Sequence, residues 1–118
     1  MTDQNTTTRS VLPHHKLLAY HAAVELLLAV KAANIRDAKL RDEALRSAKS
    51  ACLNSAEGAG RVTRADKARA FAIARGEAVE AVAAVEIAAL SGEADAAAAA
   101  RCVELANRAV ALLTGLVR

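Results

Sequence analysis

Between Pro13 and Val117 apolar residues recur every three or four positions, interrupted at three short polar or glycine-bearing points. That spacing is the period of a helix and not the alternation of a half-buried strand, so four helices are expected. The first runs from about Pro13 to Ala33 and stops near Asn34; proline suits a first helical position because its missing N–H costs nothing there. The second spans about Asp37 to Ala56, with Asp37 as its N-cap. The third starts at Thr63, whose hydroxyl can cap it while Asp66 favours its positive end, and continues to Leu90 before Ser91-Gly92. The fourth covers about Glu93 to Val117. Short connections between helices of this length predict an all-α fold, an antiparallel up-down-up-down four-helix bundle over residues 12–118. Residues 1–11 lack periodicity and are expected to be a disordered tail.

Each helix has an expected inward stripe. In the second it is Leu40, Ala44, Leu45, Ala48, Ala51, Cys52 and Ser55; in the third Ala68, Phe71, Ala72, Ala78, Val79, Val82, Val85 and Ala89; in the fourth Cys102, Ala106, Ala109, Leu113 and Leu116. The first helix carries two stripes, Leu17-Tyr20-Val24-Leu27-Lys31 and Leu18-Ala22-Leu26-Ala29 with Val30. A surface helix needs only one, so burial on two sides predicts a homo-oligomer. Gly58 fits a left-handed position just past the second helix, and Gly60 a further turn. Gly76 falls in mid-helix, at a cost of about 1 kcal/mol relative to alanine, which suggests close approach by a neighbouring helix. Glu104 and Arg108 form an expected i,i+4 pair.

Composition supports helices and narrows the chemistry. Alanine fills 32 positions, with one Pro, one Tyr, one Phe and no Trp. Core volume must therefore come from aliphatic residues and closely approached alanines, and stacking platforms for unpaired bases are absent. Cys52 and Cys102 stand far apart and read as buried apolar residues in a reducing compartment. No stretch reaches the roughly 18 uninterrupted apolar residues of a membrane span, and no basic-then-apolar signal opens the chain. A soluble, cytoplasmic protein without membrane contact is expected.

Charge changes the picture more. The formal net charge is only +3, but residues 31–75 hold eleven basic and five acidic residues, while residues 76–118 hold three basic and six acidic. One reading is a set of solvated helix faces; the other is a field that recruits a polyanion. The candidate nucleic-acid-binding residues are Lys39, Arg41, Arg46, Lys49, Arg61, Arg64, Lys67 and Arg69. Arg61, Arg64 and Lys67 recur every three positions and are expected to line one side of the start of the third helix. Repeated around an oligomer, such cations would bind backbone phosphates with little sequence preference.

Between the second and third helices lies Asn54-Ser55-Ala56-Glu57-Gly58-Ala59-Gly60-Arg61, followed downstream by Phe71-Ala72-Ile73-Ala74-Arg75-Gly76-Glu77-Ala78-Val79-Glu80. These segments resemble the bacterial four-helix-bundle family named for proteins encoded in 23S ribosomal RNA intervening sequences, whose members show N-I-A-E-G-x-G-R and then F-L-x-I-A-x-G-S. Leu45-Arg46-Ser47-Ala48 falls where the family tends to have L-R-R-A. Ser55, Ala59 and Glu77 depart from the usual aliphatic, aromatic and serine residues, and the proline that often precedes the asparagine segment is absent. The resemblance implies a homo-oligomer in the form of a pentameric ring, with a basic surface suspected of touching nucleic acid. The fold is also similar to the accessory protein of diversity-generating retroelements, which partners a reverse transcriptase. The resemblance brings no established catalytic activity.

The remaining constellations argue against an enzyme. Glu57 with Glu80 could be an acid–base pair, but neither a nucleophile with its base nor a metal set accompanies them. Asn54, Glu57, Arg61, Arg75 and Glu80 are instead expected to form a structural polar network, with Arg61 bridging helices. His14 and His21 would lie roughly 10.5 Å apart along a helix, too far to share an ion, and no zinc spacing occurs. Gly58 and Gly60 lack the spacing of a phosphate loop. No cofactor or metal is expected. The expected function is a non-catalytic accessory or scaffold protein that binds RNA or DNA backbone. The alternative is a protein-interaction module, with a protein partner and no direct nucleic-acid contact.

Overall fold

The computed structural model describes residues 11–118; the expected tail, apart from Val11, lies outside the described residues. They form four α-helices and one 3-10 turn, with no strand among them. The helices are α1 (Leu18–Ala32), α2 (Ala38–Gly60), α3 (Arg64–Leu90) and α4 (Ala96–Val117). Each packs on the next and α4 returns to α1, so that the four enclose a large core cluster and a smaller one around Phe71, with α2 against α3 as the most extensive contact.

The first expected helix is broken. Pro13–Lys16 is a 3-10 turn, and Leu17 (φ −86°, ψ 115°) leaves helical geometry before α1 begins. Side chains that bond local backbone compete with the α-ladder. The Leu12 N–H donates to His15 Nδ1 at 3.2 Å, and His21 Nε2 lies 2.7 Å from the His15 carbonyl. The His14 ring meets the Tyr20 ring edge-on at 4.8 Å. At the other end Asn34 takes a left-handed φ of 49°, which asparagine tolerates better than other side chains.

The expected caps form. Asp37 accepts the Leu40 N–H at 2.9 Å and Thr63 accepts the Asp66 N–H at 3.1 Å. The fourth helix starts at Ala96 and not at Glu93, because residues 91–95 are occupied with ending α3. Gly92 (φ 77°) donates its N–H to the Ala89 carbonyl and Glu93 to that of Ala88, the reciprocal pattern of a glycine-terminated helix. Asp95 then caps α4 through the Ala98 N–H at 3.0 Å.

Alanine dominates the interior, with Leu26, Val85, Cys102 and Leu113 the largest fully buried apolar side chains. On α2 and α4 the inward stripes are as expected, except that Leu40 and Leu45 are half-buried and Leu116 is exposed. On α3 the buried set is Ala70, Phe71, Ala74, Ala78, Ala81, Ala84, Val85 and Ala88, while Ala72 and Val79 face outward. Apolar residues surround this helix on every side, so periodicity does not choose its inner face. On α1 one stripe is mostly buried and Leu17, Tyr20, Val24 and Leu27 are half-buried within the same chain. Glu104 pairs with Arg101 at 3.1 Å in place of Arg108.

Three glycines take places in the fold other than those their spacing suggests. Gly58 and Gly60 lie inside α2, and the helix ends at Arg61, whose N–H reaches the Glu57 carbonyl at 3.0 Å. Gly58 is buried, and a Cβ there would fall 2.5–2.9 Å from ring atoms of Phe71. Its role is to admit that ring. Apart from its own helical turn, no atom of the described residues lies within 4 Å of where a Gly76 Cβ would stand, so no helix of the bundle approaches it.

Candidate nucleic-acid interface

The corner between α2 and α3 collects half of the candidate cations. Arg61 closes α2 and folds back on Glu57, one turn earlier, with Nε 3.1 Å from the carboxylate and a second, shorter contact through Nη2. This pairing holds the Arg61 guanidinium above its ordinary pKa, first through the hydrogen bond and then through the charge of Glu57. Lys67 reaches back from α3 to the carbonyls of Ala59 (3.0 Å) and Gly58 (3.4 Å). It thereby satisfies acceptors that the end of a helix leaves unpaired. Arg64 turns toward the far end of α4 and donates to the Arg118 carbonyl at 3.3 Å. Arg61, Arg64 and Lys67 therefore do not act as one row: Arg61 and Lys67 serve the end of α2, and Arg64 the end of α4.

Beside this corner lies a cleft of about 270 Å³ lined by Asn54, Glu57, Arg61, Asp66, Arg69 and Ile73. It carries two cations against two carboxylates, so it is zwitterionic and not a phosphate cradle. Asn54 belongs to it only in part, since its amide donates to the Ser50 carbonyl (2.9 Å) and Ser50 Oγ (3.1 Å) on the same helix. Arg69 makes no ion pair among the described residues.

The expected polar network is divided into separate sites. Arg61 stays with Glu57 and bridges no helices. Arg75 ties α3 to α4 through Thr114 Oγ1 at 2.7 Å. Glu80 joins Arg46 across the α2–α3 contact at 3.3 Å, and Arg46 also holds Glu43 at 2.7 Å. Glu43 stands 14 positions before Glu57 on α2, about 21 Å along the axis, so the two glutamates considered as an acid–base pair are far apart.

The Arg46 cluster contains residues that sequence reasoning missed. The buried Ser47 hydroxyl donates to Glu43 Oε2 at 3.2 Å, and one carboxylate oxygen of Glu77 is buried there with no partner. The Arg46 guanidinium beside Glu43 lowers the Glu43 carboxyl to about 2, helped by a hydrogen bond from Glu80. Glu80 moves the other way, raised first by that same bond to Glu43 and then by desolvation. The spacing of Glu43 from Arg46 and of Glu77 from Glu80 was the available signal, since each pair is one helical turn apart. Arg46 is therefore neutralised locally.

The other cations of α2 are more open. Lys39 and Lys49 are exposed and make no ion pair among the described residues. At 100° per residue they fall on the outward side of the helix with Arg46. Arg41 lies on the flank, donating to the Ile35 carbonyl at 3.4 Å and standing 3.8 Å from Asp42. Among the described residues no group of three or more His, Cys, Asp or Glu side chains is placed to hold a metal ion. No described helix is long and apolar enough to cross a membrane.

This arrangement can be set beside known proteins. The family model described as 23S rRNA-intervening sequence protein matches residues 15–115, nearly the whole described chain. The chain belongs to this family. Comparison with curated proteins returns no match. In this 23S rRNA-intervening sequence protein the E-G-x-G-R segment has a structural account, residue by residue. Glu57 anchors Arg61, Gly58 admits Phe71 and Arg61 ends the helix.

Proposed function

We propose that the chain is a non-catalytic, oligomeric scaffold that associates with the backbone of RNA or DNA through the outer side of α2. The observation that carries this reading is the exposure of Lys39 and Lys49 without an ion pair among the described residues, in the part of the chain that holds eleven basic against five acidic residues. Arg46, Arg61, Arg64 and Lys67 contribute field while spending their hydrogen bonds on the bundle. The near absence of aromatics favours phosphate over base contacts. The four helices follow an antiparallel up-down-up-down course in this reading. Its support is the three- to five-residue connections and the cross-helix pairs Arg46–Glu80 and Gly58–Phe71, whose numbers converge on the α2–α3 corner. The setting is the cytoplasm, and the assembly is a homo-oligomer, for which the family resemblance favours a pentameric ring.

Fluorescence anisotropy of a labelled RNA hairpin and a DNA duplex, titrated at several salt concentrations, tests the proposal. Binding should fall steeply with salt. Lys39→Glu with Lys49→Glu should weaken it about tenfold or more and flatten the salt slope by about two counterions. Equal binding by the double variant, or none by the wild type at low salt, refutes it. The second reading, a protein-interaction module, is favoured by Leu53 and Ile73, which are 71% and 47% exposed near the zwitterionic cleft. Partners that survive nuclease treatment and are lost on Leu53→Glu would select that reading.

A further inference from the structure

On α3 the large apolar side chains Ile73, Val79, Ile87 and Leu90 are exposed, and the residues of its outward side follow a seven-residue pattern. Arg69, Gly76, Ala83 and Leu90 occupy one repeating position, and Ala65, Ala72, Val79 and Glu86 the other. All are exposed except half-buried Ala83, with Leu90 at 89% and Val79 at 44%. These two positions are the a and d seam of a coiled coil, yet they stay uncovered among the described residues. The flanking charges are turned into the bundle, Glu80 to Arg46 and Arg75 to Thr114.

We infer that α3 docks antiparallel on α3 of a second copy, about a two-fold axis passing between Glu77 and Ala78. In an antiparallel seam each a residue shares a layer with a d residue of the other helix. With this axis the layers match in both size and charge. Gly76 faces Val79 of the second copy, Leu90 faces Ala65, and Ala72 faces Ala83, so large always meets small or small meets small. Arg69 faces Glu86, twice, on either side of the apolar centre. These are the only charged residues on the seam, and neither makes an ion pair among the described residues. A shift by one heptad would set Arg69 against Val79 in one direction, or Glu86 against Gly76 in the other. The mid-helix glycine, unexplained within one chain, then lies next to the axis, where the helices approach most closely.

The helix is 27 residues long, about 40 Å, and a strip about 10 Å wide along it offers about 400 Å² per copy. The total of about 800 Å² is below that of a standard stable interface, so the contact alone makes a weak, concentration-dependent association. Being two-fold, it makes dimers, or joins two cyclic assemblies closed through other faces. The inference deepens the oligomeric part of the proposed function and is independent of nucleic-acid binding.

The test is sedimentation velocity and light scattering of the full chain over nanomolar to hundred-micromolar concentrations, without nucleic acid. The wild type should form an even-numbered species. Arg69→Glu and Glu86→Arg should each halve the assembled mass, or raise the dissociation constant at least about tenfold, because each sets like charges together in two layers. Combining them should restore assembly. Gly76→Trp, at a site open in the single chain, should also halve the mass while circular dichroism shows an intact helical fold. Unchanged mass in the single variants, or no recovery in the combined one, overturns the α3 pairing and leaves an oligomer closed elsewhere. A monomer at every concentration overturns both the pairing and the oligomeric reading.

Discussion

Replacing Gly58 and Gly76 by alanine, one at a time, separates two kinds of helical glycine. Each substitution relieves the low helix propensity of glycine, a gain of about 1 kcal/mol in an otherwise tolerant site. At Gly76 no described residue beyond its own helical turn lies within 4 Å of the new Cβ, so the full gain should appear. At Gly58 the Cβ would stand 2.5, 2.6 and 2.9 Å from three atoms of the Phe71 ring. That ring is 4% exposed and held by Ala19, Ala74 and Leu113, so it cannot swing aside without disturbing the smaller core cluster. Inserting a methyl into such a contact costs about 1–3 kcal/mol, which offsets the propensity gain and leaves Gly58→Ala destabilised by up to about 2 kcal/mol. Thermal and urea unfolding, at concentrations where the chain is monomeric, should move the two midpoints in opposite directions. About 1 kcal/mol corresponds to a few degrees for a domain of this size. The double variant Gly58→Ala with Phe71→Leu should recover part of the loss, since neighbouring substitutions couple. Equal stabilisation by both alanines would refute the proposed fit between Gly58 and Phe71.

Two further expectations follow from the ionisable groups. Because the Glu43 carboxyl is lowered from 4.5 to about 2, it favours the fold above its unfolded value, and that contribution is lost as pH falls toward about 2. Glu43→Gln should therefore flatten the acid limb of a stability–pH profile over that window, and an unchanged acid limb in this variant would contradict the Arg46–Glu43 pairing. Glu80 has the opposite sign: a raised carboxyl favours the fold below its unfolded value and loses that contribution as pH rises through the folded one. Burial pushes the Cys52 thiol up to about 11 and the Cys102 thiol upward as well. Both should resist a thiol-specific reagent at pH 8 and react together on unfolding; fast labelling of either in the native state would contradict their burial.

The helices themselves were legible because their signals are local. Asp37 and Thr63 cap where a short polar side chain can reach a free N–H, and Ser91-Gly92 ends α3 where a left-handed residue is needed. The break at Leu17 was not legible, because it depends on His15 and His21 bonding to backbone that only the folded turn presents. The inner face of α3 escaped the sequence for a different reason. With alanines on all sides, residues such as Ala70 and Ala72 are equivalent as a pattern, and only the packing of α2 and α4 decides which is buried.

The same contrast accounts for the candidate site. A basic run in sequence fixes how many charges a region has, but each long side chain spends its hydrogen bonds on whatever acceptor the fold leaves unsatisfied. Lys67 finds the open carbonyls at the end of α2, Arg64 finds one at Arg118, and Arg61 finds Glu57. Lys39, in the first turn of α2, and Lys49, on its outward side, remain without an ion pair among the described residues. The E-G-x-G-R segment is thus explained by the architecture of one corner. A polyanion would be drawn by the field of the whole 31–75 region and held by the few cations of α2 that the bundle does not use. That division gives the charge-reversal experiment its meaning, since Lys39 and Lys49 can be reversed without removing any bond on which the fold depends.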